Sequence, residues 1–299
     1  MALETTPTNL SDYEVIITGD QKIPWYTYFR QAFSYHYLLR MITMRELKAR
    51  YKNSVFGVLW SLLNPLFMML VYTMLFTVLR PGNVIRTFYI FVLVGLVPWQ
   101  FLSGTLQTGV VAITRDATLV KKVYFPRILL PMAALLSNFV NFLFAFAILL
   151  LFLFISGIGL TVHALWVPVI LMIQIVFVLG LSLILSALNV FYRDVNMILS
   201  VALMAWFFLT PIFYPFEDLA RQASMLGYSF DAVRVMRWIN PMASIVDGYR
   251  TVLWGTVTSS GPVSMEPLNL LRTFITSLII FAIGFVLFRR VEHMFGEKL

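Results

Sequence analysis

Arg45-Glu46-Leu47-Lys48-Ala49-Arg50-Tyr51-Lys52-Asn53-Ser54 runs without a break into Val55-Phe56-Gly57-Val58-Leu59-Trp60 and on through Asn64-Pro65 to an apolar stretch that ends near Leu79. A basic segment that turns at once into a hydrophobic one stays on the cytosolic side while the residues after it cross the bilayer. The rest of the chain takes its orientation from this junction.

The composition agrees. Hydrophobic residues make up 60% of the 299 and charged ones only 12%, with a mean hydropathy of +0.85, whereas soluble domains carry about 25% charged residues. The fold class expected is an all-α polytopic membrane protein. The net charge of +8 then reports cytosolic loops, and no nucleic-acid partner follows from it. Absence of cysteine excludes disulfides, thiolate metal sites and cysteine nucleophiles. The polar N-terminus, with Glu4, Asp12, Glu14 and Asp20, has no cleavable signal pattern, so the first apolar run serves as the insertion signal.

Three regions follow from the patterning. Residues 1–24, broken by Pro7, Gly19 and Pro24, read as a cytosolic tail. Residues 25–53 form an amphipathic interface helix: Phe29, Phe33, Tyr37, Met41, Met44, Leu47 and Tyr51 recur at helical spacing. Such a helix lies among lipid headgroups or packs on protein, and the two readings are compatible. Residues 54–299 hold six runs of spanning character, Val55–Leu79, Phe88–Ala112, Ile128–Ile155, Trp166–Phe191, Val195–Tyr214 and Phe274–Phe288. Lys and Arg cluster before the first run, in the loop 113–127, at Arg193 and after Phe288, which puts both termini in the cytosol. The long outer connection 216–256 contains Asn240-Pro241, an N-cap and first-turn proline, ahead of the apolar stripe Met242, Ile245, Val246, Tyr249 and Leu253. It reads either as a re-entrant hairpin or as a surface loop.

None of the six runs has Asp, Glu, Lys or Arg in its interior, which argues against ion-coupled carriers and voltage sensors. They carry amides and rings instead: Trp60, Asn64, Tyr72, Trp99, Gln100 and Phe207 are the candidates for lining a path. Amides both donate and accept, and ring faces pack on sugars; interfacial belts and interhelical hydrogen bonds explain the same residues without cargo. Neither a phosphate-binding loop nor H-E-x-x-H occurs, so no metal, cofactor or nucleotide is expected on this chain.

Several ordered motifs carry a resemblance. Glu46 to Ser54 followed by Gly57-Val58-Leu59-Trp60 and Asn64-Pro65-Leu66, Thr118 to Arg127 with Leu130-Pro131, Asn189 to Val195, Thr210-Pro211-Ile212-Phe213-Tyr214-Pro215 and Asn240-Pro241 together resemble the transmembrane subunit of ABC exporters for polysaccharides, the O-antigen and teichoic-acid permeases. The resemblance implies two copies forming a channel, each docked on an ATP-binding subunit that supplies ATP and Mg, with cargo linked to undecaprenyl pyrophosphate. It implies a coupling role for the loop 113–127, from Arg115 through Arg127, with Lys121, Lys122 and Arg127 pairing with acidic ATPase residues and Tyr124-Phe125 filling an apolar cleft. The competing reading of that loop is a basic segment that only enforces orientation. A pyrophosphate site at the cytosolic entrance would fall to Arg50, Lys52 and Arg193; for Arg193-Asp194, capping of the turn between the fourth and fifth runs competes. The hairpin 216–256, with Asn240, Pro241 and Tyr249, resembles the family's outer gate. A teichoic-acid permease is the near alternative; a membrane glycosyltransferase or polymerase and a passive channel are the distant ones.

Overall fold

A computed structural model describes residues 34–52, 54, 56–57, 59–79, 85, 87–216, 232–256, 259 and 261–299. The tail expected over residues 1–24, the first part of the interface helix and the segment 217–231 of the expected hairpin lie outside the described residues. The described residues contain helices and no strand. In chain order these are α1 (His36–Tyr51), α2 (Leu59–Leu79), α3 (Phe88–Val110), α4 (Ala112–Arg115), α5 (Ala117–Lys122), α6 (Leu129–Ile155), a 3-10 turn (Val162–Trp166), α7 (Val167–Phe191), α8 (Asp194–Leu209), α9 (Ala232–Ile239), α10 (Pro241–Leu253), α11 (Pro267–Val291), a second 3-10 turn (Glu292–Met294) and α12 (Phe295–Lys298).

Five helices among the described residues are long and apolar enough to cross a bilayer: α2, α3, α6, α7 with the turn before it, and α11 with the turns after it. The fifth expected run behaves differently. Thr210 precedes Pro211 and takes an extended ψ of 133°, because the proline ring disfavours the helical conformation of the residue before it. α8 therefore stops at Leu209 after 16 residues, about 24 Å against a hydrocarbon layer of about 30 Å. The sixth run is longer than its apolar residues suggest, since α11 extends over 25 residues.

α3 is the centre of the bundle, packed against α2, α6, α7, α8 and α10. Its first half is apolar all round, and Ile90 to Val97 are all but sealed from solvent, the pattern of a helical stretch with no free face. α7 and α11 meet at glycines: a side chain on Gly180 would strike the Phe281 Cα at 2.6 Å, and one on Gly284 the Gly180 carbonyl at 2.4 Å. Small residues let these backbones touch, the device that replaces hydrophobic drive inside lipid.

At the α5 end a second apolar layer gathers Ile42, Ile113, Val120, Phe125, Phe288 and Phe295. Phe295 stacks edge-on to Phe288 at 5.4 Å, so the C-terminal turn is tied to the core. α1 lies along α6 with Ile42 and Thr43 buried. The stripe expected to be its apolar face is instead outward, with Tyr37, Met41 and Met44 exposed. Leu38, Leu39 and Ile42 make the face toward the protein, so α1 has two apolar sides, one for the bundle and one left open.

Candidate functional site

A cavity of about 740 Å3 opens between α1, α2, α3, α6 and α8. On α2 its lining is Trp60, Asn64, Met68 and Tyr72, spaced four apart; on α3 it is Leu96, Gln100, Ser103 and Gln107, together with Trp99. Such spacings place each set on one stripe of its helix. All six residues expected to line a path, Trp60, Asn64, Tyr72, Trp99, Gln100 and Phe207, are on this surface. Amides populate the end near α1, where Asn138 and Asn141 of α6 join Asn64 and Gln107. Rings populate the other end: Tyr72 lies 4.2 Å from Phe213 and 5.7 Å from Phe207, and Trp99 is 5.5 Å from Phe207.

Asn138 organises the amide end. Its Oδ1 accepts from the Arg50 guanidinium at 3.1 Å, while its Nδ2 donates to Thr108 Oγ1 at 2.8 Å and to the Ala134 carbonyl at 2.7 Å. Gly104 makes room for it, since a Cβ there would come within 2.8 Å of Oδ1. The Tyr51 hydroxyl donates to Asn141 Oδ1 at 2.5 Å. Of the three cations expected at the entrance, Arg50 alone lines this cavity. Lys52 sits on the open side of α1 beside Met41, Met44 and Lys48. Arg193 is exposed at the turn between α7 and α8, where Asp194 in the first turn of α8 complements the helix dipole.

The segment around Asn240-Pro241 is no surface loop. Asn240 Oδ1 accepts from the Ala243 amide at 3.2 Å and from the Trp206 indole at 2.9 Å, and its Nδ2 donates to Thr210 Oγ1 at 3.1 Å. It caps α10 and joins it to the end of α8. Beyond the cap, α10 is buried on nearly every side, packed on α3, α7 and α11. Tyr249 lies in this core rather than on the cavity: its hydroxyl donates to Gln174 Oε1 at 3.1 Å, and Gln174 Nε2 donates to the Pro98 carbonyl at 2.8 Å.

Arg250 is the residue that hydropathy reading missed. It falls in a stretch assigned to an outer connection, yet only 4% of it is exposed. Its guanidinium donates to the carbonyls of Pro211 and Ile212, reaches that of Tyr214 at 3.5 Å, and lies 3.7 Å from the Phe91 ring centroid. The non-helical turn after α8 thus finds its backbone donors in one side chain, as buried carbonyls require. Phe213, held in that turn, stacks on Phe76 at 5.2 Å. The signal available was the pairing of Thr210-Pro211 with a lone arginine inside an apolar stripe.

At the opposite end, the six residues expected to couple to an ATPase divide into two sets. Lys121, Lys122 and Tyr124 face outward, Tyr124 with 83% of its surface free. Phe125 is buried in the second apolar layer, separated from Tyr124 by one peptide. Arg115 pairs with Glu46 of α1, and Asp116 pairs with Arg45 at 2.5 Å; Ser137 donates to Glu46 at 3.1 Å. Arg127 is bound to Glu292, whose carboxylate accepts from the Arg127 amide at 2.8 Å and whose carbonyl accepts from its guanidinium. Arg115, Phe125 and Arg127 therefore hold the element in place, and Lys121, Lys122 and Tyr124 present it.

Long apolar helices around a cavity lined by amides and rings fit a membrane transport subunit. Comparison with known proteins gives the class its family: residues 37–254 match the model of the ABC-2 type transporter, and the chain belongs to that family. It is similar to two O-antigen export system permease proteins RfbA of Klebsiella pneumoniae. One is 31% identical over 266 residues, 88% of this chain and 95% of that protein; the other is 29% identical over the same shares. A protein of the same name from Myxococcus xanthus is 37% identical over 225 residues, 75% of this chain and 83% of its own length.

Proposed function

We propose that this chain is the membrane-spanning half of an ABC exporter of O-antigen, moving a polysaccharide on an undecaprenyl pyrophosphate carrier across the bacterial inner membrane. The observation that carries the reading is the cavity: an uncharged path of amides and rings, with Arg50 as the cation at its mouth, suits a neutral hydroxyl-rich chain that ends in a phosphorylated lipid. Similarity to the RfbA permeases supports the cargo. Both termini are cytosolic in this reading, so the α5 end faces the cytosol. Two copies, each carrying one ATP-binding subunit with its ATP and Mg, form the working unit, and α8 with the turn Thr210–Phe216 completes a sixth crossing. Asn240, Pro241 and Tyr249 belong to an α10 assembly that acts as the outer gate by moving with the turn that Arg250 holds.

The test is export itself. Cells carrying Asn64→Leu with Gln107→Leu should lose most surface O-antigen, by tenfold or more on the scale of about 1–3 kcal/mol for each lost polar contact, while the protein reaches the membrane in normal amount. Accumulation of lipid-linked polymer inside the cell accompanies the loss. Undiminished surface polymer would remove the cavity from the path.

A further inference from the structure

The end of the bundle opposite α5 carries a cation that the transport reading does not use. Arg272 is the sixth residue of α11, and Arg289 lies 17 positions on, about 26 Å along the helix. No charged residue intervenes between Thr273 and Phe288. The two arginines therefore bracket a length close to the hydrocarbon thickness of about 30 Å, and Arg272 sits at the level of lipid headgroups.

Its surroundings are specific. One guanidinium nitrogen of Arg272 donates to Ser244 Oγ of α10 at 3.1 Å, and the group stands 5.3 Å from the ring centroid of Trp238 on α9. Ser244 in turn donates to the Arg237 carbonyl at 3.4 Å. The neighbouring carboxylate, Asp247, is taken by Arg237 at 3.0 Å, and among the described residues no ion pair is made by Arg272. A guanidinium has five N–H donors, so most of this one's remain available. Around it the surface is apolar and open: Trp238, Ile239, Leu268 and Leu271 are exposed by 61, 78, 78 and 53%.

We propose that Arg272, oriented by Ser244 and flanked by Trp238, binds the phosphate of an anionic phospholipid in the leaflet at this end. The guanidinium N–H groups not used on Ser244 meet the phosphate oxygens, the indole sits at the depth where amphipathic rings collect, and Leu268, Leu271 and Ile239 receive the acyl chains. Free phosphate would leave that apolar rim unused. Arg237 lies beside Arg272, and this pair of cations favours an anionic headgroup over an ammonium-bearing one. The lipid would bridge α9, α10 and α11, steadying the short amphipathic helix against the span.

Full-length protein in bilayer discs of phosphatidylethanolamine and phosphatidylglycerol, released into a mass spectrometer with its bound lipids, tests this. Wild type should retain phosphatidylglycerol over phosphatidylethanolamine, and Arg272→Met should reduce that retention about fivefold, the value of one basic contact near a charged surface. Arg272→Lys should keep part of it. Trp238→Ala, on an exposed helix, should also lower phosphatidylglycerol retention, and serves if Arg272→Met does not fold. Equal retention by both variants, no headgroup preference in wild type, or displacement of the lipid by millimolar inorganic phosphate would each overturn the proposal.

Discussion

Arg250 brings a full charge into the bundle interior, which on insertion scales costs about 2.5–3.5 kcal/mol at the centre of a span. Its geometry explains how that cost is met: carbonyls of Pro211, Ile212 and Tyr214 on one side and the Phe91 face on the other, with Gly95 close enough that a Cβ would come within 3.0 Å of the guanidinium. A desolvated cation over a ring is worth about 2 kcal/mol. Arg250→Met should leave buried carbonyls without donors and lower stability by about 3 kcal/mol, at about 1–3 kcal/mol for each unsatisfied group. Arg250→Lys keeps the charge but not the planar fork, so it should fall between Met and wild type. Thermal unfolding of the detergent-purified protein measures both. If Arg250→Met melts with wild type, the turn after α8 is held by something other than this side chain.

At the scale of elements, α5 and the strap that follows it present one face outward and anchor by another. Lys121→Glu with Lys122→Glu and Tyr124→Ala should leave the bundle folded yet abolish co-purification with the ATP-binding subunit, because these side chains are exposed. Phe125→Ala should do the reverse and destabilise the α5 end by about 3–5 kcal/mol, as removal of a buried ring does. A pull-down combined with a melting curve separates the two; a triple variant that still holds the ATPase would make this loop an orientation signal alone. This division was not legible from Tyr124-Phe125 as a pair, since adjacent aromatics look alike until tertiary packing chooses one. What was legible is what periodicity and capping chemistry control: the long apolar helices and the cap at Asn240. The end of α8 and the start of α11 escaped because prolines, not hydropathy, set them: Pro211 stops the one after Leu209 and Pro267 opens the other. Arg250 escaped because a window average hides one charge whose partners are backbone carbonyls some forty residues away.

At the scale of the whole molecule, α2 and α8, which both line the cavity, present large exposed apolar side chains, among them Phe67, Met74 and Val78 on one and Met197, Val201 and Met204 on the other. Lipid alone can cover Phe67 or Val78, but Met204 and Ser200 belong both to α8 and to the cavity lining, and the sugar path proposed above would need protein rather than lipid tails on that side. A second copy placed about a two-fold axis would supply the missing side with the same amides and rings, and such isologous pairing is the commonest way for a protomer to close a surface on itself. The cysteine-free chain makes the test direct. Single cysteines at Val201 and at Met204 in native membranes should form a disulfide-linked dimer on mild oxidation, whereas a cysteine at Leu151, exposed on α6 and outside the cavity lining, should stay monomeric. Cross-linking at Leu151 with none at α8 would move the dimer face away from the cavity and leave the path to be closed by another protein.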